Sequence, residues 1–308
     1  MAIKVRDYEV RLTRTKEERR LVRQLRYRVF VEEDGIIPTE EQKQLREEYD
    51  QFDNYAEYMV VLHEGKVVGT YRIITREAAE KMGGFFSEIE FDITKIKKAR
   101  GNIAEMSRAC IAPEYRDSGL AISMMWMGLG EYIAKNQISI LFGMASWFNT
   151  RPMQYAIATS YLYYNHLAPM NLRGHVDLDK LPDDVDPNMT RMNIIPRQFV
   201  DKDEAYAQMG AVLKGYLRLG AKFGKGVSVS NDAVGNSYSV QVIMQTKDIS
   251  KAYQKRFTGD ENAFDHLALP DGAIKTFGKI MSLPFKGLAA AAKFFLRDDA
   301  DDAELVEE

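Results

Sequence analysis

The chain has 308 residues, 45% of them hydrophobic and 28% charged, with 21 glycines and 9 prolines, a composition that excludes disordered, collagenous and low-complexity classes. A single cysteine, Cys110, forms no internal disulfide, and four scattered histidines show no zinc-like spacing, which excludes a disulfide scaffold and a structural zinc module. The net charge of −3 is unevenly spread, since residues 298–308 carry seven acids and no base while residues 273–297 carry five bases and no acid.

Thr15 followed by Glu18 has the spacing of a helix-capping pair, and Leu21, Val22, Leu25, Val29 and Phe30 then recur at helical intervals. The first predicted element is therefore a helix over 16–33. Strands are predicted over 58–63 and 67–75, joined at Glu64-Gly65-Lys66 as a hairpin, and over 102–111, where Pro113 ends the run. A helix with an unusually apolar surface is predicted over 120–135, then a strand over 138–145 and a further helix. Beyond these, 204–219 reads as a helix, 237–246 as an alternating strand and 249–257 as a short helix. This order predicts a mixed α/β (α+β) fold with a largely antiparallel sheet flanked by helices. No Pro/Gly/Ser-rich linker divides residues 1–257, so they are expected to form one domain. A linker with a basic amphipathic helical segment is expected over 258–297, and an acidic disordered tail over 298–308.

The passage from Glu105-Met-Ser-Arg108 to Arg116-Asp117-Ser118-Gly119-Leu120-Ala121 leads from a predicted strand into a predicted helix. An Arg-x-x-Gly-x-Ala loop there offers free backbone N–H groups and the positive end of a helix dipole, which suits a phosphate or pyrophosphate. This loop resembles the acyl-CoA-binding loop of the GNAT acyltransferase superfamily. Leu25-Arg26-Tyr-Arg28-Val-Phe30, Glu48-Tyr-Asp50-Gln-Phe-Asp53, Gly69-Thr-Tyr-Arg72 and Glu105-Met-Ser-Arg108 stand in the order and spacing seen in acyl-homoserine-lactone synthases, a GNAT-like branch. Leu213-Lys-Gly-Tyr-Leu-Arg218-Leu-Gly-Ala221 resembles more closely the sister family of ornithine-lipid N-acyltransferases. The likeness spans residues 8–257.

The resemblance implies a GNAT-like, autoinducer-synthase-like fold that transfers a 3-hydroxyacyl group from acyl carrier protein to the α-amino group of ornithine, giving lyso-ornithine lipid. It implies Glu105 as general base with Arg108 as its support, and Arg26, Phe30, Asp50, Asp53 and Arg72 as substrate-binding residues. Arg26 and Phe30 match the acyl-donor side, and the other three match the amine side. Residues Arg116, Asp117, Ser118, Gly119, Leu120 and Ala121 would hold the donor's phosphopantetheine. No permanently bound cofactor or metal is implied, the donor being the acyl-phosphopantetheine of acyl carrier protein or acyl-CoA. No tryptophan follows Phe30 in Gly35-Ile-Ile-Pro38, a departure from the lactone synthases. The neighbouring readings are acylation of glycine, glutamine or lysine, homoserine-lactone synthesis, and, from a different class, a non-catalytic acyl- or membrane-binding protein.

Residue chemistry supports the same roles. A free α-amino group has a pKa of about 8, so a carboxylate acting directly or through a water has only a modest barrier to remove before the amine attacks a thioester. Backbone N–H groups of a distorted strand would serve the tetrahedral oxyanion. Glu105 and Arg108 are an odd number of residues apart and would face opposite sides of a flat strand, so a β-bulge is predicted between them. Asp50 and Asp53 also suit a turn or cap, and Arg26 also suits a structural ion pair with either. Cys110 reads as a small buried hydrophobe, and Met124, Met125, Trp126 and Met127 read as core. Tyr155, Tyr161, Tyr163 and Tyr164 offer a general acid for the leaving thiolate without a way to choose among them.

Lys279, Lys286 and Lys293 fall on one helical stripe opposite Phe277, Met281, Leu288, Ala292 and Phe295, with Pro284 interrupting the run. Such a segment suits an anionic inner-membrane surface, the acidic face of acyl carrier protein, or packing on its own domain. No apolar run reaches the length of about 18 residues that spans a bilayer, and the amino terminus lacks a signal-peptide core. The expected location is cytoplasmic, peripheral at the membrane, with no nucleic-acid partner.

Overall fold

The computed structural model describes residues 2–148, 152–183, 185–230 and 237–267. The basic segment 273–297 and the acidic tail 298–308 lie outside the described residues. Among those described, the strands are β1 (Ala2–Val5), β2 (Tyr8–Leu12), β3 (Glu57–His63), β4 (Lys66–Thr75), β5 (Phe91–Asp92), β6 (Asn102–Ile111), β7 (Ile138–Phe148), β8 (His175–Val176), β9 (Lys222–Ser230) and β10 (Ser237–Gln245). They form one sheet in the order β1-β2-β3-β4-β6-β7-β10-β9-β8-β5. Its pairings are antiparallel except β6 with β7 and a short contact of β8 with β9. The helices are α1 (Lys16–Arg26), α2 (Glu40–Leu45), α3 (Arg76–Met82), α4 (Thr94–Lys97), α5 (Leu120–Asn136), α6 (Ala156–His166), α7 (Lys202–Ala207), α8 (Ala211–Arg218) and α9 (Lys251–Thr258). None is long and apolar enough to cross a membrane.

Alternation along the strands divides the core. Val22 of α1 packs on Tyr58, Val60 and Leu62 on one face of the sheet. The apolar α5 packs on Met59, Val61, Tyr71, Ile73, Ala104 and Met106 on the other. The parallel β6–β7 pair requires a crossover connection, and α5 is that connection. The predicted mixed α/β architecture is thus present, as are the 58–63/67–75 hairpin and the strand over 102–111.

Three local expectations need correction. The helix predicted over 16–33 is α-helical only to Arg26 and continues over Tyr27–Glu33 as a π-helical turn, in which the Asp34 N–H donates to the Val29 carbonyl. Periodicity registers the apolar face and not this change of pitch. The helix predicted over 204–219 is two helices, α7 and α8, because Met209 turns into the core beside Leu213 and Ala205, and Gly210 opens α8 in an extended conformation. The edge strand β1, its neighbour β2 and the strand β9 were not predicted at all, being short or glycine-interrupted.

The feature that positions the chemistry is a fork. Strands β6 and β7 pair from Asn102 opposite Ile138 to Met106 opposite Gly143 and then part. β6 continues to Ile111 against β4, and β7 continues to Phe148 against β10. Gly143 permits the last contact, since a Cβ there would stand 2.2 Å from the Met106 carbonyl oxygen. Gly143→Ala is therefore expected to force the strands apart and to cost on the order of 3 kcal/mol, measured as a lower denaturant midpoint.

Candidate active site

On the α1 face of the sheet, Arg26, Arg72 and Arg108 meet Glu48, Asp50 and Asp53, three guanidiniums against three carboxylates. Arg26 lies 2.5 Å from Glu48 and 2.9 Å from Asp53. Arg72 lies 2.5 Å from Asp50 and 2.9 Å from Asp53, and its Nε donates to the Ser107 hydroxyl. Arg108 joins Glu48 at 3.1 Å to Asp50 at 3.3 Å. The side chains of Arg26 and Arg72 are wholly buried. Burial alone would push the Glu48 and Asp53 carboxyls up, but the facing arginines outweigh it and hold both below the usual range. The Tyr58 hydroxyl donates to Asp53, and its own pKa is raised by burial and by that carboxylate.

Asp50 and Asp53 also fulfil the capping reading. The Asp50 carboxylate accepts the Phe52 N–H, and the Asp53 carboxylate accepts the Asp50 N–H, forming the single turn Gln51–Asn54. The same two residues therefore shape their turn and bind arginines.

Arg108 reaches this cluster through the predicted bulge. Between the pairs Arg72–Ser107 and Thr70–Cys110, β6 has two residues opposite one of β4. Arg108 itself is the bulge residue, in the left-handed region at φ 53°, so the bulge falls at Arg108 and not before it. It turns the Arg108 side chain back to the face of Glu105 and Ser107, over the Phe86 ring at 4.7 Å and the Phe30 ring at 5.8 Å. The π-helical turn carries Phe30 to that position.

Glu105 is fully buried. Its oxygens accept the backbone N–H groups of Phe86 and Ser87, each at 2.7 Å, and the Ser87 hydroxyl. Burial pushes its carboxyl up to about 7 against the pull of those donors and of Arg72. Phe86 is thus held twice, its N–H by Glu105 and its ring beneath Arg72 and Arg108. Glu48, Phe86 and Ser87 escaped the sequence reading. Glu48 stood inside a quoted motif, whereas nothing local marks the 86–87 turn.

The structure brings Arg26, Phe30, Asp50, Asp53, Arg72, Glu105 and Arg108 together and sets the 116–121 loop apart, beyond the end of β6. Gly119 is the N-cap of α5 at φ 63° with no side-chain cap of its own; the Leu120 N–H donates to the Ser118 hydroxyl at 3.3 Å, which leaves the Ala121 and Ile122 N–H groups of the first turn without an acceptor among the described residues and open to an anion. Arg116, expected at the phosphate, is instead bound to the Glu33 carboxylate and the Ile111 carbonyl. Asp117 and Ser118 are exposed, and Ala121 is buried. Cys110 is buried, its thiol pushed up to about 12 by that burial.

On the α5 face, a narrow apolar cleft lies at the fork, lined by Met106, Trp126, Leu141, Gly143, Met244 and two tyrosines, Tyr71 and Tyr216. The four tyrosines named from sequence lie elsewhere: Tyr155 stacks on Trp147, Tyr161 packs on Tyr206, and Tyr163 packs on Tyr164.

A family model described as "Acetyltransferase (GNAT) domain" matches residues 25–127, which hold the arginine–carboxylate cluster, the fork's first strand and the loop. The L-ornithine N(alpha)-acyltransferase of Rhodobacter capsulatus is 31% identical over 265 residues, covering 84% of this chain and 97% of that protein. The chain belongs to this acyltransferase family. The L-ornithine N(alpha)-acyltransferase of Brucella abortus is 30% identical, covering 85% of this chain and 92% of its own length. Among solved structures, the AHL synthase LasI shares 15% identity, with 78% of this chain and 92% of that one covered, at a TM-score of 0.42, a likeness too distant to carry any argument.

The charge cluster in this acyltransferase has a measurable signature. Arg26→Met would leave Glu48 and Asp53 short of a partner and is expected to cost about 3–5 kcal/mol. Because both carboxyls are held below their unfolded values, the stability they contribute is present above pH ~4 and lost as pH falls. Denaturant midpoints between pH 7 and pH 3 should therefore fall in the parent chain and flatten in Arg26→Met.

Proposed function

We propose that the protein transfers a 3-hydroxyacyl group from the phosphopantetheine thioester of acyl carrier protein to the α-amino group of ornithine, giving a lyso-ornithine lipid. The observation that carries the reading is the match, over most of the chain, to relatives named L-ornithine N(alpha)-acyltransferase, joined to a fork whose inner strand edges have no partner strand among the described residues. The donor's phosphate would rest on the open first turn of α5, its arm would lie along the free edge of β6, and its acyl chain would enter the apolar cleft. An acyl-CoA presents the same phosphate and arm, so the carrier is told apart by kinetics with each donor.

In this scheme the ornithine α-nitrogen attacks the thioester carbonyl carbon, the C–S bond breaks, and the thiolate leaves and takes up a proton. Backbone N–H groups of β6 beyond Met106, on the side where no described strand pairs with it, would hold the oxyanion. Glu105 would accept the ammonium proton, the Ser87 hydroxyl linking the two, and a carboxyl at about 7 is matched to an amine of pKa about 8. The guanidinium–carboxylate cluster beside it fixes Phe86, Arg108 and Ser107 around the acceptor. Positioning of two substrates at the fork supplies much of the acceleration.

Two tests bear on this reading. In lipids extracted from a bacterial host making 3-hydroxyacyl carrier protein, the wild-type chain should yield N-(3-hydroxyacyl)-ornithine and Glu105→Gln should not; an acylated amino acid of another kind would replace the acceptor. With purified protein, kcat should rise with pH through about 7 as Glu105 ionises, and Glu105→Gln should lower it about 100-fold. Unchanged turnover would leave Glu105 as an anchor of the 86–87 turn only. Gly119→Val, which puts a β-branched residue at positive φ, is expected to raise KM for the donor at least tenfold and to leave KM for ornithine within twofold.

A further inference from the structure

The cleft at the fork is apolar except for two hydroxyls. The Tyr71 and Tyr216 oxygens lie 2.6 Å apart, one on β4 and the other on α8, and both residues are buried. Each tyrosine has one O–H to donate. Within the pair one hydroxyl donates and the other accepts, so the second O–H has no acceptor among the described residues. An unmet donor in an apolar enclosure is costly, and neither hydroxyl is released by ionisation, since burial raises both tyrosine pKa values. Phenylalanine would fill the same space without that cost, so packing alone does not account for two hydroxyls.

We propose that the Tyr71–Tyr216 pair is the specificity determinant for an oxygen on the acyl chain, the spare O–H donating to the 3-hydroxyl of the donor. The inference rests on the N-acyltransferase reading above. Its geometry follows from the strands: Tyr71 lies opposite the bulge at Arg108, and the cleft's floor includes Met106 and Gly143, the last pair before the fork opens. A thioester carbonyl held at the fork therefore has the first carbons of its acyl chain beside these hydroxyls, while the remainder runs among Met106, Met144 and Met244, whose flexible side chains adapt to it. A chain without the hydroxyl leaves the donor unmet, and sites built around a hydrogen bond discriminate against substrates that cannot make it.

The test compares kcat/KM for 3-hydroxytetradecanoyl and tetradecanoyl thioesters on the same carrier protein, with ornithine, in the wild type, Tyr71→Phe and Tyr216→Phe. The wild type should prefer the hydroxylated donor at least tenfold, and both variants should lose most of that preference. Activity with the plain donor reports that each variant is folded. Two results in the variants would overturn the proposal: a preference retained in both, or equal losses with both donors, which would assign the pair to the thioester or to packing. A wild type that acylates without regard to the hydroxyl also overturns it and spares the functional reading, whereas a wild type that acylates no amino acid sinks the reading itself.

Discussion

The structure turns on six buried or half-buried charges that only together are affordable in the interior. Arg26 on α1, Glu48, Asp50 and Asp53 on the segment before β3, Arg72 on β4 and Arg108 on β6 come from four separate stretches of chain. Removing any one from water costs several kcal/mol unless its charge is answered at short range. Three guanidiniums and three carboxylates answer one another, and several charges have two partners. The network therefore specifies relative position: α1 cannot slide on the sheet, nor β6 shift against β4, without stranding a buried charge.

That rigidity explains the tolerance of an otherwise unfavourable backbone. Arg108 sits at positive φ without being glycine, which costs about 1–2 kcal/mol, and the contacts to Glu48, Asp50, Phe86 and Phe30 offset it. The bulge then brings Arg108 onto the face of Glu105, close to where β6 and β7 part. Glu105 completes the arrangement from below by holding the 86–87 turn, so that the aromatic ring beneath the two guanidiniums is fixed as well. Charge, strain and aromatic contact thus converge where β6 loses its partner.

The fork separates two chemistries across one sheet. The α1 face presents charge, and the α5 face presents an apolar cleft with a single hydroxyl pair. A strand edge left without a partner inside a protein is expensive, and here the edge that is free among the described residues lies between the two, bounded by the first turn of α5. In the proposed reaction, an amphipathic donor with a phosphate, a polar arm and a hydrocarbon chain would meet a complementary group at each point.

Much was legible in the sequence because it rests on local rules. Period-2 and period-3.6 patterns located the central strands and α5, the odd spacing of Glu105 and Arg108 required a bulge, and Arg-x-x-Gly-x-Ala before an apolar helix marked the turn that opens α5. The spaced Arg and Asp motifs named most of the charge cluster. What the sequence left open depended on long-range contact. Helical periodicity did not reveal the π-helical turn that seats Phe30, because the apolar face barely changes with pitch. Arg116 had a rival carboxylate in Glu33, 83 residues away, and the Tyr71–Tyr216 pair spans 145 residues. Residue type and spacing thus determined which chemical groups this protein possesses. Tertiary structure alone decided which of them are buried together, because the partner that satisfies a buried charge or hydroxyl is chosen by packing and not by distance along the chain.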